Sequence, residues 1–153
     1  MISKALEEYV KTMYVLKQQK DEIRVTDIAE KMCCSKASVT KALNNLKDKN
    51  LVEYEAYGEI KLTKEAEEIA QKNLEAYDIV YLFLNEILEI KDDKAKEEAE
   101  KIKSIIKDET LNKLARYTHK ELGLSSLECK YDLNESKCRG CIKRNTSKKI
   151  NKN

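Results

Sequence analysis

Residues 25 to 63, VTDIAEKMCCSKASVTKALNNLKDKNLVEYEAYGEIKLT, leave a chain few ways to fold. Thr26 is placed to cap a helix carrying Ile28, Ala29 and Met32 on one face. A turn at Cys33-Cys34 leads to Ser35, a second capping residue. Behind it, Lys36 to Lys47 sets Val39, Ala42, Leu43 and Leu46 at helical spacing. Asn50 stands where a left-handed residue would close that helix. Leu51 to Tyr54 and Glu59 to Leu62 then alternate with period two around Gly58, the pattern of a β-hairpin. Two helices joined by a tight turn and followed by a hairpin make a winged helix-turn-helix. The outer face of the second helix carries hydroxyls, amides and ammonium groups, the chemistry that meets phosphates and base edges in a major groove. Ser35, Lys36, Ala37, Ser38, Thr40, Lys41 and Asn44 are expected at double-stranded DNA, with Tyr57 and Gly58 at the wing tip against the backbone. The alternative is a small helical subdomain with an ordinary solvated face.

With no Pro, three Gly and 41% hydrophobic residues among 153, the chain reads as mainly helical and able to bury a core. Its longest apolar run, Ile79 to Leu84, is far too short to span a bilayer. MISKALEEYV has acids where a secretory leader needs an apolar block, so a cytoplasmic protein with no membrane partner is expected. Its five cysteines should then be reduced. The formal charge of +2 is unevenly placed: Cys129 to Asn153 carries +6 and the first 128 residues −4. An acidic body does not attract DNA, so binding needs a local basic face, which Lys36, Lys41, Lys47, Lys49 and Lys61 can supply.

On either side of this stretch the periodicity is helical. Ser3 to Gln19 aligns Leu6, Tyr9, Val10, Met13 and Leu16, and Ile23 to Val25 reads as a short strand able to pair with the wing. After Thr63 a helix reaches about Glu89, with a stripe of Ala66, Ile69, Ala70, Leu74, Tyr77, Tyr81, Leu84, Ile87 and Leu88. Asp92 or Asp93 caps a helix with Ala95, Ala99, Ile102 and Ile106, and Asp108 caps another with Leu111, Leu114 and Tyr117. Helices that cannot bury such stripes alone imply a partner. The simplest is a second copy held through Leu74, Tyr77, Tyr81, Leu84 and Leu88; a monomeric bundle is the alternative. The expected organisation is a winged-helix domain over 1–63, an α-helical dimerisation domain over 64–122, and a basic, cysteine-containing extension over 123–153. The last eight residues of that extension have the composition of a disordered tail.

EEYVKTMYVL at Glu7, VTDIAEKM at Val25 and the run from Ser35 to Thr63 resemble the metal-dependent repressors related to diphtheria toxin repressor and the manganese transport regulator. The resemblance covers residues 3 to about 118. It is nearest the two-domain, manganese-regulator type, because no third, SH3-like domain is matched. It implies a homodimeric transcription factor on a palindromic operator near metal-uptake genes, with Ser35 to Lys47 as the recognition helix. The family's metal site carries over poorly. One ligand position falls on Glu8 and the next on Lys11; the histidine of the long helix falls on Tyr77 and its neighbouring carboxylate on Tyr81. The later Glu/Cys-x-x-Glu-His run becomes Glu100-Lys101-Ile102-Lys103-Ser104. A hard cation such as Mn²⁺ or Fe²⁺ needs several oxygen or imidazole ligands, and two glutamates beside two ammonium groups are a poor cage. Two outcomes stay open. Either Lys11 and Lys103 pair with Glu8 and Glu100 and set fixed positive charge where the metal would be, or the site has decayed into solvated surface charges.

The extension offers a different site. Cys129, Cys138 and Cys141 are spaced C-x8-C-x2-C, a bite suited to zinc, iron or an iron–sulfur cluster, and Gly140 lets the chain curl around the ion. Neighbouring Arg139 and the lysines favour thiolates. His119, the single histidine, is one choice of fourth ligand; Asp132, water or a small molecule are others. An open-sited sensor, a zinc staple and three unliganded thiols all remain readings of this pattern. In function, a repressor is weighed against a winged-helix adaptor that docks on a protein and reports iron or redox state through the cysteines. An enzyme has no support, for no nucleophile–base constellation or phosphate-cradling glycine loop is present.

Overall fold

A computed structural model describes residues 2–122, together with the backbone of Tyr131–Asp132 and Lys137–Cys138. The chain divides into two compact units inside one helix, the first running to Gln71 and the second starting at Lys72.

The first unit holds α1 (Lys4–Lys17), α2 (Val25–Met32), α3 (Lys36–Asp48), a ribbon of β1 (Val52–Glu53) and β2 (Lys61–Leu62), and the start of α4 (Lys64–Leu82). Ser3 caps α1 by accepting from the Leu6 N–H at 3.3 Å. The amphipathic stripes read from the sequence meet in one core: Val10, Met13 and Leu16 from α1, Ile28 from α2, Val39, Leu43 and Leu46 from α3, and Ala66 and Ala70 from α4. The ribbon closes it with Leu51, Val52, Ile60 and Leu62. Its pairing is short and antiparallel, Val52 opposite Leu62 and Glu53 opposite Lys61. Thr63 starts α4 as expected, its hydroxyl donating to the Leu51 carbonyl at 3.1 Å and accepting from the Ala66 N–H at 3.4 Å.

Two expectations fail just ahead of α2. Ile23 to Val25 is not a strand: Val25 is already helical, and Ile23 is 2% exposed in the core. Nor is Thr26 the cap. Arg24 takes the extended cap position, and the Asp27 carboxylate accepts from its backbone N–H at 2.9 Å. An acid three residues past the cap satisfies an N–H that the helix leaves open, which moves the start two residues back.

The second unit contains the rest of α4, a π-helical turn over Phe83–Ile87, α5 (Asp92–Lys103) and α6 (Asp108–Glu121). Its core is Ala76, Ile79, Val80, Leu82, Leu84, Ala95, Ala99, Leu111 and Ala115. The single stripe expected along α4 is therefore two stripes in different phase, Ala66 and Ala70 in one core and Ala76, Ile79 and Val80 in the other. The wide turn closes with the Leu88 N–H on the Phe83 carbonyl at 3.1 Å, and Glu89 follows at φ 55. Asp92 and Asp108 do not cap: Lys91 and Lys107 hold the cap positions. Asp92 instead accepts from Tyr81 and, at 2.6 Å, from Lys96, while Asp108 accepts from Lys72 at 2.8 Å. Tyr117 is exposed, and Thr118 and His119 take the buried face of α6 in its place. Beyond these helices the backbone of Tyr131–Asp132 (β3) pairs antiparallel with Lys137–Cys138 (β4). Cys129 and Cys141, like the tail over 146–153, lie outside the described residues.

Candidate nucleic-acid interface and metal centre

α3 is placed by a turn that leaves its start fully open. Cys33 ends α2 in the left-handed region at φ 52, and Ser35 begins α3 with its Oγ accepting from the Ser38 N–H at 3.1 Å. The two serine hydroxyls also meet at 2.9 Å. Cys34 packs against the core with the Tyr9 hydroxyl 3.7 Å from its sulfur, and burial beside that thiol pushes the Tyr9 pKa up. Along α3 the division of faces is clean. Val39, Ala42, Leu43 and Leu46 are buried, while Ser35, Lys36, Ala37, Ser38, Lys41, Asn44 and Asn45 are exposed. Thr40 is half-buried and its hydroxyl donates to the Lys36 carbonyl at 3.0 Å, so its one proton is already engaged and is not free for an outside acceptor.

The wing tip is a four-residue turn, Glu55 to Gly58, closed by the Gly58 N–H on the Glu55 carbonyl at 2.8 Å. Its left-handed residue is Tyr57, at φ 64, and Tyr57 is fully exposed. Gly58 is needed for closeness rather than handedness: a Cβ there would lie 3.2 Å from the Glu55 carbonyl oxygen. At the root of the wing, Lys47 donates to the Tyr54 carbonyl at 2.8 Å, tying the end of α3 to the ribbon. Tyr57 and Gly58 thus sit together at the tip, and the α3 residues form a separate continuous face.

The positions expected to replace metal ligands make ion pairs inside each unit. In the first, Lys11 lies 2.5 Å from Glu8. In the second, Lys103 Nζ lies 2.6 Å from Glu100, donates to Asn73 Oδ1 at 3.0 Å and sits 5.8 Å above the Tyr77 ring. Tyr77 stacks on Tyr81 with ring centroids 6.1 Å apart. Burial and then the Glu100 charge push the Tyr77 pKa up; burial and the hydrogen bond to Asp92 do the same, more strongly, for Tyr81. Ser104 turns its hydroxyl back to the Lys101 carbonyl at 2.8 Å. In the second of these pairs the Lys103 side chain is 3% exposed and that of Glu100 50%. Asn73 was not legible as a partner from composition, though it stands one turn before Tyr77 on the same helix face. Glu75, 3% exposed on the same helix, carries no sequence signal of its burial either.

Two family models match the chain: the iron dependent repressor N-terminal DNA-binding domain over residues 1–60, and the iron dependent repressor metal-binding and dimerisation domain over residues 63–120. The chain belongs to the iron-dependent repressor family. It is 30% identical, over 120 residues, to an HTH-type transcriptional regulator of Methanocaldococcus jannaschii, covering 78% of this chain and 96% of that one. It is 35% identical over 85 residues to the transcriptional regulator MntR of Geobacillus thermodenitrificans, covering 55% of this chain and 60% of that protein. Among solved structures, the manganese regulator SloR superposes with a TM-score of 0.63 at 26% identity, over 79% of this chain and 54% of that one. The metal-dependent regulator MtsR gives 0.67 at 19%, a likeness of fold. This chain thus spans little more than half the length of each of these two solved regulators. The family is one of DNA-binding transcriptional repressors that bind transition metals, and not of enzymes.

Against that family background, the described residues at the positions expected of the family's metal site do not make a donor set for a divalent ion. Among the described residues no group of three or more His, Cys, Asp or Glu side chains is placed to hold a metal. Glu8 and Glu100 each have an ammonium as neighbour instead. His119 is buried on α6 at 7% exposure, and the thiols of Cys129, Cys138 and Cys141 lie outside the described side chains. Of the residues expected at a dimer interface, Leu84 is a correction, being 7% exposed in the core of its own unit. Tyr77 and Tyr81 are half-buried in the network around Lys103 and Asp92, Leu74 is half-buried, and Leu88 is 50% exposed. Among the described residues no helix is long and apolar enough to cross a membrane.

Proposed function

We propose that this chain is a cytoplasmic repressor that binds a palindromic operator as a homodimer, reading DNA with the exposed face of α3. The observation that carries this is the sorting of side chains on that helix: the apolar row is buried, while Lys36, Ser38, Lys41 and Asn44 stand together in solvent behind an N-terminus capped by Ser35. An α3 start that presents open N–H groups and two lysines suits phosphate, and the amide of Asn44 suits a base edge. Fully exposed Tyr57 suits the wing to a neighbouring stretch of backbone. Dimerisation is supported by the family's second domain and by Leu88, Ile105 and Tyr117, large apolar side chains left exposed on the second unit.

The test is fluorescence anisotropy with the full chain on duplex DNA from upstream of its own gene. The expected result is saturable, salt-dependent binding that is lost when one half-site is scrambled. Binding equal to that of random duplex at every salt concentration would reject the operator reading and favour the protein-docking adaptor. We further place any transition metal this chain holds at Cys129, Cys138 and Cys141. Their spacing supports that, as does the β3–β4 ribbon, which turns the chain back between Cys129 and Cys138. Protein purified without oxygen should carry close to one zinc or iron equivalent, and the Cys138→Ser variant should lose it. Metal-free protein would remove the site.

A further inference from the structure

We propose that Lys103 is the resident cation of the helical domain: its ammonium does the work of the divalent ion for which the family's domain is described. The domain, on this account, is locked in one state with respect to Mn²⁺ or Fe²⁺. The family model over residues 63–120 is that of a metal-binding domain, yet no described cluster of donors can hold a metal. What stands between α4 and α5, beside a half-exposed Glu100, is a lysine. Its side chain is 3% exposed, and its ammonium is met from three sides by the Glu100 carboxylate at 2.6 Å, the Asn73 amide oxygen at 3.0 Å and the face of Tyr77.

An ammonium is driven to water unless anions, oxygens or ring faces replace its hydration, so a lysine buried to this degree needs the shell built for it. The shell comes from both helices that border the site, Asn73 and Tyr77 one turn apart on α4 and Glu100 on α5, so the cation joins α4 to α5 as a bridging metal would. It also excludes one. A divalent ion next to Glu100 would face a positive charge that cannot leave, since Lys103 is covalently held, and Lys103 and Ser104 supply no anionic or imidazole donor. Exchange of a free ion is what lets such a domain report metal concentration. A tethered cation cannot report it.

This inference rests on the repressor reading only for its consequence, and its test is independent of DNA. Thermal unfolding is followed for the full chain with Cys129, Cys138 and Cys141 changed to Ser, so that thiolates contribute no metal site, with and without 1 mM Mn²⁺ at about neutral pH. The expected midpoint is the same in both, because nothing in the native state binds the ion. Lys103→Met, which keeps the length and removes the charge, lowers the midpoint. Lys103→Glu leaves Glu100 beside a second carboxylate, and its midpoint is lowered without Mn²⁺ and raised by several degrees when Mn²⁺ is added. A rise of that size in the parent, or calorimetric binding of Mn²⁺ to it at micromolar concentration, would overturn the proposal. So would a Lys103→Met variant that unfolds at the parent temperature. Should neither Lys103 variant fold, the response of the parent to Mn²⁺ still decides the matter. Operator affinity of the parent should then change less than twofold on adding EDTA; absence of any operator binding would strike the repressor reading and leave the cation assignment standing.

Discussion

Asp27 holds the first turn of α2 by two bonds of different kind, one from the Arg24 backbone N–H and one from the Lys20 ammonium. Together these hold its carboxyl below the usual carboxylate range, the lysine bond contributing most. A group with a depressed pKa in the folded state gives stability that is present above its unfolded pKa of about 4 and is lost as pH falls through the lower folded value. Asp27→Asn should therefore cost about 1 kcal/mol in urea unfolding at pH 7 and less at about pH 3, below the unfolded pKa. A penalty equal at both pH values would mean that charge at this cap does nothing. Tyr57 invites the opposite kind of change. A non-glycine residue at φ 64 in the third position of a turn bears a cost of about 1 kcal/mol that glycine would not. Tyr57→Gly should thus leave stability unchanged or raised by up to about 1 kcal/mol, while operator affinity falls if the ring meets the backbone. Unaltered affinity would take the wing tip off the DNA.

Among elements, α3 was legible in the sequence to within a residue because three signals agree there: a Ser cap, a clean apolar row and a left-handed Asn50 at φ 57. The reading face follows from the same periodicity, so its exposure was legible too. α4 was not, for a physical reason. A helix shared by two cores keeps no single stripe, and averaging over both made Leu74, Tyr77 and Leu84 look alike when only Leu84 is core. The capping errors at Asp92 and Asp108 have one cause as well: an acid in a first turn satisfies cap preference and ion pairing equally on paper, and lysines and a tyrosine decide it in space. For α3, replacing Lys41 by Ala should weaken operator binding and reduce the slope of log K against log salt by about 1, the signature of one lost phosphate contact. Ser35→Ala should cost about 1 kcal/mol in stability by removing the cap. An unchanged salt slope for Lys41→Ala would mean the helix faces something other than phosphate.

At the scale of the molecule, charge and apolar surface are divided between the parts in a way that assigns each a task. Residues 1–63 carry eleven Lys/Arg and ten Asp/Glu; residues 64–122 carry eleven and fifteen. The helical unit is thus repelled by DNA while the winged helix is nearly neutral and concentrates lysines on one helix, so contact with a duplex is directed to α3. The same helical unit leaves Leu88 50%, Ile105 71% and Tyr117 50% exposed, a disposition that a lone acidic bundle has no reason to keep. A second copy would cover them, and two copies are what a palindrome requires. Changing Leu88 and Ile105 together to Asp adds charge only where solvent already reaches, so the monomer should fold with its melting temperature shifted little. Light scattering at micromolar concentration should then report a mass near 18 kDa rather than twice that, against 17.7 kDa for one chain. Operator affinity should fall tenfold or more, since a single winged helix holds half a site and the benefit of linkage is lost. A variant that keeps the doubled mass would place the contact between copies on some other face. One that is monomeric yet binds a palindrome as tightly as before would mean that each copy of α3 reads its half-site alone.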